Sequence, residues 1–174
     1  MSAAAATNKV PAEKEFVISR LFKAPRELVF ACFTDPEHMK QWWGPKGVTV
    51  IASKMDLRPG GFYHYGMRTP DGSAMWGKFI YREIEKPQRI VLVSTFSDEA
   101  GGVTRHPMAP TWPLQMLSTF LFETEGDGTR LTIKWLPIDP TDEERATFEG
   151  GFAGMNQGWS GTFEQLEAYL ATAK

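Results

Sequence analysis

Cysteine is nearly absent. Cys32 stands alone, so no intramolecular disulfide can staple the fold, and a reducing, cytoplasmic setting fits that usage. No Lys/Arg cluster occurs, and 19 basic against 21 acidic side chains leave a net charge of −2. The basic face that nucleic-acid binding requires is therefore missing. Long apolar runs are missing too. The longest stretch free of Asp, Glu, Lys and Arg, residues 106–122, is cut by Pro107, Pro110 and Pro113, whereas a membrane-spanning helix needs about 20 continuous apolar residues. Histidine is limited to His38, His64 and His106, with no His-x-x-x-His or Cys/His spacing, so no metal site is expected. Neither a G-x-S-x-G elbow nor a G-x-x-x-x-G-K phosphate loop is present, and no cofactor is expected. The four alanines at 3–6 are too few for a signal-peptide core and no basic region precedes them; residues 1–14 read as a frayed tail.

Apolar payload is plentiful. Of 174 residues, 42% are hydrophobic and 12 Phe, 6 Trp and 4 Tyr supply the aromatics, which excludes wholesale disorder. The length favours one domain, 15–174. Residues 15–23 are β-branched and aromatic and read as a strand. Pro25 suits a helix start, and Leu28, Val29, Cys32 and Phe33 recur at helical spacing. Asp35-Pro36-Glu37 caps a second short helix that carries Met39, Trp42 and Trp43 and stops at Gly44-Pro45. A strand-rich block follows, at 48–57, 62–68, 73–85, 89–97, 114–125 and 129–137, joined by turn chemistry except for a long loop at 98–113. Successive strands with short turns predict an antiparallel meander.

Inward faces follow from what cannot be buried. Arg130, Thr132 and Lys134 point out, so Leu131, Ile133 and Trp135 point in; Glu123 points out, so Met116, Ser118, Phe120 and Phe122 point in. In 48–57, Thr49, Ile51, Ser53, Met55 and Leu57 fall on one side. The strand at 73–85 breaks the rule, since Lys78 and Arg82 share a face with Trp76 and Ile80 while Glu83 shares one with Phe79 and Tyr81; a bulge or an inward ionisable group is required. Thr141-Asp142-Glu143-Glu144 is a capping box. Beyond it Phe148, Phe152, Met155, Trp159, Phe163, Leu166 and Leu170 form one apolar stripe, predicting a helix of about 30 residues, roughly 45 Å long. Gly151, Gly154, Gly158 and Gly161 form a second stripe on it, at about 1 kcal/mol each against Ala. Bare backbone there either packs closely or leaves room for a ligand.

The order of these elements resembles the START-like, or SRPBCC, superfamily with its helix-grip fold, and more closely the branch named for the activator of Hsp90 ATPase and its homologues. The resemblance is carried by Ala24-Pro25 with Val29-Phe30, Thr34-Asp35-Pro36, Gln41-Trp42-Trp43-Gly44-Pro45, Asp56-Leu57-Arg58-Pro59-Gly60-Gly61, Asp71-Gly72, Gly77 with Tyr81-Arg82-Glu83-Ile84, Pro87-Gln88-Arg89-Ile90, Gly128-Thr129-Arg130-Leu131-Thr132, and Gly158-Trp159 with Leu166 and Tyr169-Leu170. It implies an α+β fold: a curved antiparallel sheet of about seven strands round a long C-terminal helix, often enclosing a hydrophobic cavity. It implies no single activity, because function sits in the cavity.

On that reading Trp76, Met116, Ser118, Phe120, Phe152, Met155, Trp159 and Tyr65 are the expected ligand-binding residues, with a small hydrophobic or aromatic molecule as partner. A non-catalytic binding role leads. An enzyme of the polyketide cyclase, aromatase or hydrolase kind would need an inward acid or base, for which Glu83, Arg82 and His64 are the candidates. A chaperone-interaction domain is the third reading, and a homodimer is compatible with any of them. His106 reads as a polar loop histidine.

Overall fold

A computed structural model describes residues 14–173; all but the last residue of the tail expected at 1–14 lies outside them. The chain runs β1 (Phe16–Phe22), α1 (Arg26–Thr34), α2 (Pro36–Trp42), β2 (Thr49–Asp56), β3 (Phe62–Arg68), β4 (Ala74–Glu85), β5 (Arg89–Ser97), β6 (Val103–Thr104), β7 (Met116–Glu125), β8 (Gly128–Pro137), α3 (Asp142–Gly150) and α4 (Phe152–Thr172). The strands form one antiparallel sheet in the order β1-β8-β7-β5-β4-β3-β2, with the short β6 paired to β5 inside the loop read as irregular. α4 lies across its concave face, the helix-grip arrangement.

At one end of that face the core is solid. Phe30 and Phe33 of α1 meet Phe122 and Phe120 of β7 edge to face, at ring-centroid distances of 5.2 and 5.4 Å. The Trp42 indole donates to the Cys32 carbonyl, and Tyr169 of α4 reaches His38 of α2 at 2.6 Å. Burial pushes the Cys32 thiol up to about 12, with Asp35 adding to the effect, so the only cysteine is a protonated packing group. The inward sets expected for β7 and β8 hold: Met116, Ser118, Phe120, Phe122, Leu131 and Ile133 are all buried.

Local backbone irregularities settle one expectation and replace two. The register of β4 against β5 shifts between Tyr81 and Glu83. Tyr81 and Ile84 then both face the core while Arg82 and Glu83 face water, so a bulge, and no inward charge, resolves the conflict in that strand. A second shift lies between Val50 and Ala52. It leaves Ile51 39% exposed and off the side shared by Ser53 and Met55. The expected 30-residue helix is two helices. α3 starts at the capping box, with Glu144 N–H to Thr141 Oγ1 at 3.1 Å and Thr141 N–H to Glu144 Oε1 at 2.9 Å. It ends at Gly151, where an added Cβ would stand 3.3 Å from the Trp112 ring and 3.2 Å from the Thr147 carbonyl.

Candidate functional site

Where α1 and α2 no longer fill the concave face, a cavity of about 520 Å³ remains between sheet, α4 and the loop 98–115. That volume lies within the range of small-molecule pockets. Strand register builds its floor row by row. Trp135 stands opposite Ser118, Met116 opposite Ser94, Ser94 opposite Phe79, and Phe96 opposite Gly77, which pairs with Tyr65. Gly77 is needed there, because a Cβ would fall 2.2 Å from the Tyr65 hydroxyl oxygen lying across it.

The segment after α2 forms one wall. Trp43 caps α2 with extended backbone (φ −63°, ψ 135°), which swings its indole off the helix to meet Tyr65, Phe79 and Trp159 at 5.6, 5.5 and 5.8 Å. Gly44 follows with φ +100°, and a Cβ there would come within 2.6 Å of Met67 Sδ; only glycine lets the chain turn so close over the floor. The opposite wall is α4. Met155 and Trp159 face the sheet, while Gly151, Gly154 and Gly158 leave the backbone bare beside the cavity. Nothing lies within 4 Å of a Cβ built at Gly154 or Gly158.

The loop 98–115 closes the top and is tied to α3 at several points. Arg105 pairs with Glu144 at 3.0 Å, Thr147 donates to Thr111 at 2.9 Å, and Trp112 packs on Phe148 with centroids 6.0 Å apart. The Thr141 backbone N–H, and then Arg105, hold the Glu144 carboxyl below its usual range. His106 faces the cavity from this loop, with its ring 4.7 Å from that of Phe96. Its Nδ1 accepts the Met108 N–H at 3.0 Å, which puts the proton of the neutral ring on Nε2. Burial lowers its pKa below the ordinary histidine value. Among the described residues the cavity wall contains no Asp, Glu, Lys or Arg. A second titratable group in the wall, the Tyr65 phenol, is pushed up to about 12 by burial, against a smaller opposing pull from Trp43.

Of the residues expected to bind a ligand, Tyr65, Met116, Met155 and Trp159 stand in the wall. Phe120 sits beneath it, 6.2 Å from Trp159 and 6.0 Å from Phe79, as part of the solid core. Ser118 shares the inward face with Trp135 but is fully buried and outside the wall, and its hydroxyl has no hydrogen-bond partner among the described residues. Phe152 leaves the cavity to pack between Phe16 and Phe148, at 5.6 and 5.3 Å. Trp76 is on the other face of the sheet, stacked on His64 at 5.3 Å and lying over Gly66. The three groups considered for acid–base chemistry stay outside as well. Glu83 pairs with Arg89 at 2.6 Å, Arg82 is exposed at the bulge, and His64 Nε2 lies 3.0 Å from the Asp98 carbonyl.

The sequence reading missed Trp43, Met67, Phe79, Phe96 and His106 as wall residues. For Trp43 a signal existed: Trp-Trp-Gly-Pro ends a helix, and the residue released from the helix is free to aim elsewhere. For His106 none did, since a loop residue has no periodicity to read.

Among the described residues no group of His, Cys, Asp and Glu is placed to hold a metal ion, and no helix is long and apolar enough to cross a membrane. No curated protein matches the chain. Solved structures do. A solution structure from Arthrobacter aurescens shares 27% identity and superposes with a TM-score of 0.75, covering 92% of this chain and 87% of that one. Protein NE0264 from Nitrosomonas europaea shares 25% identity with a TM-score of 0.73, covering 94% and 98%. Protein Ms6760 from Mycobacterium smegmatis, at 24% identity, a TM-score of 0.72 and 90% coverage of both chains, adds likeness of fold. Residues 23–171, nearly the whole of the sheet and helices described above, match one family throughout, and the chain belongs to it: activator of Hsp90 ATPase homolog 1-like protein, within the START-like superfamily.

Proposed function

We propose that this protein binds a small hydrophobic or aromatic molecule in the cavity beneath α4, in the cytoplasm and without catalysis. The carrying observation is the space of about 520 Å³ itself, walled by Trp43, Trp112, Trp135 and Trp159 and, among the described residues, free of charged side chains. Apolar walls with a few polar groups are what ligand pockets look like. A ligand that enters a space of this size takes its own apolar surface and that of the walls out of water. Two further features support the reading. The floor is rigid, because its side chains are set by sheet register. The glycines of α4 forgo helix propensity where a side chain would take up cavity volume.

The test uses N-phenyl-1-naphthylamine, an uncharged fluorescent probe. Saturable binding at one site, with loss of tryptophan emission, is expected. Gly158→Phe places a ring in the mouth of the cavity, where a new Cβ meets nothing within 4 Å. It should abolish binding while leaving the thermal midpoint within a few degrees of wild type. A wild-type protein that binds no probe, or a variant that binds as well, overturns the reading.

A further inference from the structure

We infer that the ligand is an uncharged aromatic molecule carrying a hydrogen-bond acceptor, and that His106 Nε2–H is the donor that recognises it. This rests on the binding reading above and specifies its chemistry.

The absence of charge in the wall sets the first half. An anionic or cationic ligand would leave water for a space with no Asp, Glu, Lys or Arg among the described residues, and a charge buried without a partner is strongly disfavoured. The aromatic character follows from the walls. Trp43, Tyr65 and Phe79 meet edge to face, and Trp159 continues the array at 5.8 Å from Trp43. A planar ring inserted there finds faces and edges to pack on.

His106 sets the second half. Its Nδ1 is occupied by the Met108 N–H, so the neutral ring presents Nε2–H as a donor. No protein acceptor is bonded to Nε2 among the described residues. The ring is held in place rather than waving from a loop. Phe96 packs on it at 4.7 Å, and the adjacent Arg105 is fixed to Glu144 at 3.0 Å. Two of the wall hydroxyls are engaged within the protein: Thr95 donates to the Leu114 carbonyl at 2.9 Å, and Thr162 to the Gly158 carbonyl at 3.1 Å. A donor fixed at the wall of an apolar cavity selects among apolar ligands by the one acceptor each brings.

The experiment compares 2-acetylnaphthalene with 2-isopropenylnaphthalene, which have nearly the same shape and differ by the carbonyl oxygen. The readout is the ratio of their affinities, so loss of packing common to both cancels. In His106→Phe the ratio should fall about 3- to 10-fold in disfavour of the ketone, the worth of one neutral hydrogen bond. His106→Gln, whose carboxamide keeps an N–H donor, should retain part of it. 2-Naphthoate should bind wild type at least about 10-fold more weakly than the ketone, since its charge finds no partner. A ratio unchanged within about 2-fold in both variants, or naphthoate binding as tightly as the ketone, overturns this inference and leaves the cavity as a ligand site. Failure of both neutral probes to bind wild type overturns the binding reading along with it.

Discussion

At the scale of single residues, position relative to the cavity floor decides what each side chain does. Ser118 illustrates it. Alternation along β7 points it inward, and it is fully buried, yet it lies outside the cavity wall, between its register partners Leu92 and Trp135. Its hydroxyl has no partner, and a buried hydroxyl left unpaired carries a desolvation cost. Ser118→Ala should therefore be neutral or stabilising. Ser118→Phe should lose roughly 1–3 kcal/mol by overpacking, because the ring enters the solid core and not the open space. Urea denaturation of the two variants checks the pair. Equal stability of Ser118→Phe and wild type would mean that the cavity extends beneath β7. Gly77 shows the converse, a position where removing a side chain makes room for another residue's ring, that of Tyr65.

At the scale of elements, the junction of α3 and α4 organises the site. The capping box starts α3, and Glu144 then serves twice, bonding the Thr141 N–H and pairing with Arg105 of the loop above the cavity. Thr141→Ala should cost about 1 kcal/mol of stability; an unchanged midpoint in urea would show that the cap contributes nothing. The glycines of α4 divide by surroundings. Gly151 is crowded by Trp112 and ends one helix as the other begins, whereas Gly154 meets nothing. Gly154→Ala should gain up to about 1 kcal/mol from helix propensity. A loss of stability on that substitution would mean that loop 98–115 packs more closely on α4 than the structure has it.

At the scale of the whole molecule, one concave sheet does two jobs. The half under α1 and α2 is closed by interlocking aromatics and carries stability, and the half under the first turns of α4 is left open. A ligand that binds only the folded state adds stability by mass action, about 2.7 kcal/mol at a concentration 100 times its Kd. For a chain of this length that corresponds to a rise in melting temperature of roughly 5–10 °C. N-phenyl-1-naphthylamine should produce the rise in wild type and not in Gly158→Phe. A shift of equal size in both would place the binding site elsewhere on the molecule.

Much of the fold is legible in the chain, because it depends on local chemistry. Period-2 alternation orients β7 and β8, the Thr141–Glu144 spacing starts α3, and the seven-residue apolar stripe marks the C-terminal helices. These signals repeat over several residues, and together with the motif order they determine the element sequence and the family. Tertiary structure decided the rest. The bulge at 50–52 turns a side chain over in a way no alternation rule shows, and the broken alternation of 73–85 calls for a bulge without placing it at 81–83, because each depends on how a neighbouring strand is paired. The predicted helix breaks at Gly151, where Trp112, from a distant loop, crowds the space a side chain would need. The cavity is the clearest case. Its wall draws on β3, β4, β5, β7, β8, α4 and two loops. The same apolar residue types fill the solid core and line the open space, so composition and periodicity cannot separate them. What separates Phe120 from Trp159, or Trp76 from Tyr65, is which side of a curved sheet each faces and whether a helix covers it, and those are properties of the assembled fold.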